Sequence, residues 1–295
     1  MPPMYYKTAS YRTFTVFNTI LIALLGLMCI LPLVHILAVS FSDKASVNAN
    51  LVNFWPVGFN LDAYQKTISN PVFISSLWNS FERVILGTFI SMAVVILAAY
   101  PLSKDSTALR GRSAFAWYFI ITMLFSGGLV PTYIVVSKLG LNNSVWALVL
   151  PGAVSVWNMI LLMNFYRNVP KELEEAAFID GANQLQTLWN VYLPISKPAL
   201  ATLTLFTLVG HWNSWFDGLI YMNRPELHPL ATYLQTIVVE QNLKDLITNV
   251  QDADKLTQRS VKAAQIFIAV IPVLLVYPFL QKHFVKGMVL GAVKE

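Results

Sequence analysis

Six long stretches of the chain contain no Asp, Glu, Lys or Arg and consist mostly of apolar residues. An α-helix rises 1.5 Å per residue, so about 20 such residues are enough to cross the hydrocarbon core of a bilayer. The pattern therefore predicts an all-α integral membrane protein with six transmembrane helices. The predicted spans cover about 13–40, 82–103, 113–136, 144–166, 198–220 and 263–283.

Composition supports the same interpretation. Hydrophobic residues make up 56% of the 295 residues and charged residues only 12%, which is too apolar a mixture for one aqueous core. The first stretch is too long for the core of a signal peptide, so it is expected to remain as an anchor. We find no internal repeat and no composition shift that marks a soluble domain. Residues 1–295 are therefore interpreted as one transmembrane domain.

The basic residues indicate the orientation of the spans. An even number of spans puts both termini on the same side, and cytoplasmic loops are enriched in Lys and Arg. Eleven of the twenty Lys and Arg residues lie in the termini and in the loops 104–112 and 167–197. Both termini and the loop 167–197 are therefore predicted to be cytoplasmic, in a multi-pass protein of the cell membrane.

The sequence contains no motif typical of an enzyme or of a metal site. It lacks a phosphate-binding GxxxxGK[ST] loop, HExxH, GxSxG and paired cysteines, and its four histidines are far apart. Cys29 is the single cysteine, so no intrachain disulfide can form. The isoelectric point is near 9.2, but the basic residues are scattered over loops, which argues against nucleic-acid binding. No catalytic residue, metal ligand or cofactor is predicted in this chain.

The loop 167–197 is polar and has its own helical signals. Pro170 suits the start of a helix, and Glu172, Glu174 and Glu175 place negative charge near the positive end of its dipole. Gly181 is placed to end this helix through a left-handed turn, and a second short helix is expected before two prolines. An amphipathic helix lying on the membrane is one interpretation. However, the segment 172–180 carries four acids and no base, so an anionic inner leaflet would repel it. A protein partner fits the segment better.

Two other classes of membrane protein remain as alternatives. A secondary transporter needs buried acids or cation sites midway through the membrane, and Asp217 is the only acid close to the interior of a span. A membrane-embedded enzyme needs convergent acid, base or metal ligands, for which His35 and His211 are the one pair to consider. Glu82 and Arg83 are expected at the outer interface, paired with water or a partner protein.

The loop also carries a spaced motif. Glu175, Ala176 and Ala177 are followed after three residues by Gly181, and after nine more by the segment 191–194, which reads VYLP. This arrangement resembles the EAA loop of importer-type ABC transporter permeases, with Val191 in place of the usual isoleucine. Further segments are similar to the carbohydrate-uptake group of that family, and especially to the lipoprotein-associated sugar permeases of Gram-positive bacteria. They are FSGGLVPTY at 125–133, HWNSWFDGLIY at 211–221 and VYPFLQKHFVKGMVLGAVKE at 276–295.

The resemblance implies a type I ABC importer permease fold with six spans and a cytoplasmic coupling helix. It implies four kinds of partner: a second homologous permease, two ATP-binding subunits, an extracytoplasmic sugar-binding protein and membrane lipid. ATP and Mg would be bound by the ATPase subunits, and this chain would move a sugar or oligosaccharide without changing it. The residues implied in ATPase coupling are Glu174, Glu175, Ala176, Ala177, Asp180, Gly181, Leu193 and Pro194.

The substrate pathway is expected to use polar and aromatic groups within the spans. Polar groups are costly in lipid, and aromatic faces can stack on sugars while amides and imidazoles pair with hydroxyls. The same side chains could instead pair between helices, or lie in the core or at the membrane interface. A peptide or another polar solute also remains open as the substrate. The candidate pathway residues are Trp157, Asn158, His211, Trp212, Asn213 and Trp215.

Overall fold

The computed structural model describes residues 8–105, 107, 109–247, 259–276 and 278, and the regular elements within these ranges are helical. A π-helical turn at Leu188–Tyr192 and a 3₁₀ turn at Pro225–Leu227 interrupt the α-helices. The helices are α1 (Ala9–Ser40), α2 (Lys44–Asn48), α3 (Asp62–Ile68), α4 (Pro71–Ser103), α5 (Arg112–Leu124), α6 (Leu129–Lys138), α7 (Val145–Val149), α8 (Val156–Arg167), α9 (Lys171–Ile179), α10 (Gln184–Thr187), α11 (Leu193–Ile195), α12 (Lys197–Asn213), α13 (Phe216–Tyr221), α14 (Leu230–Ile247) and α15 (Arg259–Val276).

The chain divides into two units. One comprises Met1–Asn70 and Lys244–Val270, and the other comprises Pro71–Leu243 and Ile271–Glu295. In the first unit, α1 is an apolar helix of 32 residues whose amino end is capped by the Thr8 side chain. After α1, the ring of Phe41 packs on the rings of Phe59 and Tyr64, at centroid distances of 5.3 and 4.8 Å. These contacts fold the segment 41–64 back on itself.

The second unit is built around α4, which packs against α8 and α12. Its apolar core combines side chains from these three helices with others from the π turn. Small residues on α4 allow close approach, because a Cβ added to Gly87 would lie 2.6 Å from the imidazole of His211 on α12. The buried residues of this core are Met92, Val95, Ala99, Tyr100, Leu102, Val156, Met159, Leu162, Tyr166, Val169, Leu188, Tyr192 and Leu203.

Within the described residues, α1, α4 and α15 are each long and apolar enough to cross a membrane. Two bent pairs raise the possible count to five: α5 with α6, bent by 110°, and Gln184–Ile195 with α12, bent by 84°. The predicted span 144–166 is formed by α7 and α8 with non-helical residues between them. Of the predicted span 263–283, residues 277 and 279–283 lie outside the described part of the chain. The six-span count stays a prediction.

The bounds of two predicted spans differ from the helices for identifiable reasons. The second helix begins at Pro71 rather than near residue 82, because proline is favoured in a first helical turn and because the charge of Arg83 is neutralised inside the protein. The third span is broken at Gly128, which has φ of +84° and ψ of −178°, a conformation open essentially only to glycine. Reading charge-free windows detects neither effect.

The contact at Gly87 gives a test of the packing between α4 and α12. We expect Gly87→Ala to destabilise the protein by on the order of 1–3 kcal/mol, because the methyl group must displace the imidazole of His211. The matched control is Gly210→Ala on α12, where an added Cβ meets no atom within 4 Å and alanine favours the helix. Thermal unfolding in detergent should show a lower midpoint for the first variant only. Equal midpoints would show that this close approach is not required.

Candidate functional site

The helix expected in the loop 167–197 is present as α9, at Lys171–Ile179. Pro170 is the residue that precedes it, and Glu172 and Glu174 lie in its first turn, where carboxylates stabilise the positive end of the dipole. The helix ends at Gly181, whose φ of +82° lies in the left-handed region. There the N–H groups of Gly181 and Ala182 donate to the carbonyls of Phe178 and Ala177. A glycine-ended helix is thus fixed by local sequence.

The second short helix of the loop begins with a capping box that the sequence analysis did not identify. The Asn183 side chain accepts from the N–H of Gln186 at 2.9 Å, and the Gln186 side chain accepts from the N–H of Asn183 at 2.8 Å. The spacing Asn-x-x-Gln was the available signal. Pro194 does not end the helical path, which continues to Ile195 before the chain turns by 84° into α12.

One face of α9 is open to solvent. Glu175, Ala176, Asp180 and Gly181 are exposed, and Ala177 is partly covered. The sequence analysis did not single out Ile179, although its side chain is 86% exposed, the largest value among the large apolar residues described. The open face therefore combines acids, small residues and an apolar anchor. Of the other two candidates, Pro194 is exposed and Leu193 packs partly against the core.

Glu174 differs from its neighbour Glu175 because it points toward the membrane helices. Its carboxylate accepts from Lys104 Nζ at 2.6 Å and from the Tyr192 hydroxyl at 2.7 Å. The side chains of Lys104 and Glu174 are only 12% and 16% exposed. Glu174 therefore belongs to an internal ion pair rather than to the open face of α9.

A second ion pair near the same helix lies at the surface. Lys171 donates to Asp105 at 2.6 Å, and these side chains are 73% and 66% exposed. The hydrogen bond and charge of Lys171 lower the pKa of Asp105, with smaller effects from Arg112 and Arg167. Surface pairs of this kind contribute little to stability because water and salt screen them.

A polar cavity of about 450 Å³ lies within the second unit, between α4, α7, α8, α12 and α13. Asn158 and His211, two of the predicted pathway residues, line it. Asn158 Nδ2 donates to the Thr207 hydroxyl across the gap between α8 and α12, at 3.1 Å. Hydroxyl groups from Ser91, Ser155 and Ser214 add further donors and acceptors to the lining. The cavity thus offers hydrogen-bonding groups between apolar helices.

An ion pair that the sequence analysis missed closes one part of this cavity. Arg83 is 2% exposed and donates to both carboxylate oxygens of Asp217 and to the carbonyl of Ser214. Asp217 also accepts from the Ser214 hydroxyl at 3.0 Å and from the N–H of Gly218 at 2.9 Å. The expectation that Arg83 pairs with water or a partner protein is therefore wrong, because its partner is Asp217 of the same chain. Asp217, the one acid near the interior of a span, was the signal for its partner.

The remaining pathway candidates do not line this cavity. Trp212 is buried, and its ring packs edge-on against Phe81 at 5.5 Å, in agreement with the alternative that it belongs to the core. Trp157 is 60% exposed on α8, and Trp215 packs on Phe216. Asn213 is exposed at the end of α12. Only Asn158 and His211 are brought together here.

Comparison with known proteins identifies the family. The sequence pattern of the family described as binding-protein-dependent transport system inner membrane component matches residues 106–290, more than half of the chain. The chain belongs to this family. It is a membrane-embedded transport permease.

Individual relatives are similar over nearly the whole length. The protein LplC of Bacillus subtilis strain 168 is 39% identical, covering 98% of this chain and 97% of its own. The polygalacturonan/rhamnogalacturonan transport system permease protein YtcP of the same strain is 40% identical, covering 91% and 94%. A chain from the crystal structure of a bacterial ABC transporter involved in the import of the acidic polysaccharide alginate is 33% identical. It superposes with a TM-score of 0.84 over 96% of this chain and 99% of that chain.

The end of α9 provides a local test. Gly181→Val should destabilise the turn by on the order of 1–3 kcal/mol, because a β-branched residue is strained at positive φ. Gly181→Asn is the matched control, since asparagine adopts this conformation at little cost and an added Cβ meets no atom within 4 Å. Hydrogen exchange of amides 176–182 should accelerate for valine alone. The same exchange rate in both variants would contradict this account of the turn.

The buried ion pair provides another test. Asp217→Asn leaves the Arg83 guanidinium buried without a countercharge, and we expect a loss of about 3–5 kcal/mol in stability. Replacing both residues, as Arg83→Met with Asp217→Leu, should recover most of that loss because no charge remains buried. Asp105→Asn, which breaks only the exposed pair with Lys171, is the control and should have little effect. Thermal unfolding in detergent measures all three.

Proposed function

We propose that this permease is one membrane subunit of an ATP-driven ABC importer that translocates an oligosaccharide delivered by an extracytoplasmic binding protein. The observation that carries the proposal is α9, an exposed helix with the EAA pattern in a loop between apolar helices. A helix that has no fully buried residue and presents Ile179 to solvent has the properties of a docking element.

The open face of α9 suits a groove in an ATP-binding subunit. Burial of an isoleucine side chain on docking contributes about 1.5–3 kcal/mol, enough for Ile179 to act as the anchor. Ala176 and Ala177 let the two backbones approach closely, and Glu175 and Asp180 offer carboxylates to basic groups of the partner. ATP-driven closure of two such subunits would displace α9 and switch the permease between inward-open and outward-open states. ATP and Mg would be bound by those partners, and this chain would contribute no cofactor.

The polar cavity supports a path for a hydroxyl-rich substrate. Asn158 donates to Thr207, and the side chains of Asn158, Thr207 and His211 can exchange hydrogen bonds with sugar hydroxyls, so a passing chain need not leave a polar group unpaired. The names of two relatives refer to polygalacturonan, rhamnogalacturonan and alginate, which favours an oligosaccharide as the cargo. The carboxylate of Asp217 already receives hydrogen bonds from Arg83, Ser214 and Gly218, which disfavours a coupling-cation site.

The assembly that follows contains a second, homologous permease, two ATP-binding subunits and the binding protein, embedded in the cell membrane of a bacterium. Six spans, with both termini and the loop 167–197 in the cytoplasm, would place α9 beside the ATPases. The last span and the segment 284–295 fall partly or wholly outside the described residues. Their place in the assembly is part of the proposal.

Transport in proteoliposomes tests the proposal. The assembled complex, with ATP enclosed beside the ATPases and binding protein on the other side, should take up a labelled oligogalacturonide. Uptake that persists without ATP or without ATPase subunits would contradict the proposed mechanism. If a peptide, but not unlabelled oligosaccharide, competes with uptake of the labelled sugar, the proposed substrate class is wrong.

A substitution on the open face of α9 tests its proposed contact with the ATPase subunits. Ile179→Asp should weaken co-purification of the ATPase subunits and lower uptake, because a charge replaces the apolar anchor. Leu139→Asp is the matched control, since Leu139 is 66% exposed at the end of α6 and is predicted to lie on the opposite side of the membrane. Equal losses in both variants would contradict a specific role for α9.

A further inference from the structure

Lys104, the first residue after α4, is enclosed by groups from three segments of the chain. Its Nζ donates to Glu174 Oε1 at 2.6 Å and to the Tyr192 hydroxyl at 2.9 Å. The ammonium also lies 4.1 Å from the centroids of the Tyr100 and Tyr192 rings. Two carbon-rich ring faces and a carboxylate therefore surround one cation.

The three polar groups form a closed set of hydrogen bonds. The Tyr192 hydroxyl, which accepts from Lys104, donates in turn to Glu174 Oε2 at 2.7 Å. Hydrogen bonds with an ionised donor or acceptor are about twice as strong as neutral ones, and each of these three involves a charge. Burial lowers the pKa of Lys104, while the hydrogen bond and charge of Glu174 oppose that shift. We call Lys104, Glu174 and Tyr192 the lysine triad.

Aromatic contacts connect the lysine triad to the core of the second unit. The rings of Tyr100, Tyr166 and Tyr192 meet edge to face, with centroids 5.0 to 6.3 Å apart. The Tyr100 hydroxyl also donates to the Gln184 side chain at 2.8 Å. The end of α4, the end of α8, the start of α10 and the π turn are therefore fixed to one another around Lys104.

The Glu174 carboxylate adds a charged contact to the apolar packing of α9. No residue of α9 is fully buried, and the side chains of Leu173 and Phe178, 44% and 40% exposed, are covered only in part. Its other ion pair, Lys171 with Asp105, is exposed and weak. Glu174 is the side chain of α9 that is both enclosed and charged, and its partner follows α4 directly.

We propose that the lysine triad transmits displacement of α9 to α4, with Lys104 as the positioning residue that makes the two move together. The proposal rests on the proposed function only in that α9 contacts an ATP-binding subunit. With the triad intact, α9 cannot move without carrying the end of α4. With the triad broken, the ATPase subunits still bind the open face of α9, and their motion is absorbed in the loop.

The experiment compares uptake per ATP hydrolysed in the complete complex in proteoliposomes. Lys104→Met keeps the length of the side chain and removes the cation, and we expect uptake per ATP to fall about tenfold, within the usual range for coupling between sites. Co-purification of the ATPase subunits should be unchanged, because the open face of α9 is untouched. Lys104→Arg should restore most of the ratio, since a guanidinium can also pair with Glu174 and stack on tyrosine.

The matched control is Lys171→Met, which breaks the exposed pair of the same helix and should keep the wild-type ratio. A merely destabilising substitution lowers assembly, ATP hydrolysis and uptake together and leaves the ratio unchanged. A wild-type ratio in Lys104→Met, or an equal fall in Lys171→Met, overturns the proposal. ATP-independent uptake by the unaltered complex would instead overturn the proposed function.

A milder variant covers the case in which Lys104→Met does not accumulate. Tyr192→Phe retains the ring that packs on Tyr100 and Tyr166 and removes only the hydroxyl between Lys104 and Glu174. We expect a partial fall in uptake per ATP with normal assembly. An unchanged ratio in this variant would likewise overturn the proposal.

Discussion

A polar side chain carried into an apolar helix has to find its partner inside the protein, because lipid offers none. Three pairs of polar side chains meet this constraint in the second unit. Arg83 pairs with Asp217, Asn158 pairs with Thr207, and Lys104 pairs with Glu174. Each pair joins elements that are distant in sequence, so the need to satisfy polar groups also sets how α4, α8, α9 and α12 lie against one another.

The features predicted correctly from sequence are those with local causes. The helix α9 follows from proline, early acids and a terminal glycine, all within twelve residues. Asn158 and His211 were selected because such residues in a membrane helix need an internal partner; both line the cavity, and their role in a substrate pathway stays a prediction. Sequence alone could not assign the three tryptophan candidates to the core, the interface or a pathway, because a large ring with one polar atom suits all three equally well.

The features that sequence reasoning missed arise from pairing over long distances. Arg83 was expected to pair with water or a partner protein, yet Asp217, 134 residues later, neutralises it. In the EAA segment, successive residues of a helix point about 100° apart, so the side chains of Glu174 and Glu175 lie on different faces of α9. A motif identifies both glutamates, but only the fold separates the one that faces Lys104 from the one that faces solvent.

The helix α4 runs without interruption through 33 residues. Arg83 lies in the first half of α4 and Lys104 directly follows its end, about 32 Å apart at the usual helical rise. This continuous helix joins the lining of the polar cavity, at Arg83 and Ser91, to the lysine triad. Thermodynamic linkage is reciprocal. If a solute and a partner protein each bind one position of α4 more tightly, each changes the affinity of the other by the same factor. Through the continuous helix α4, a solute bound in the polar cavity can therefore change the affinity of a partner bound near the lysine triad.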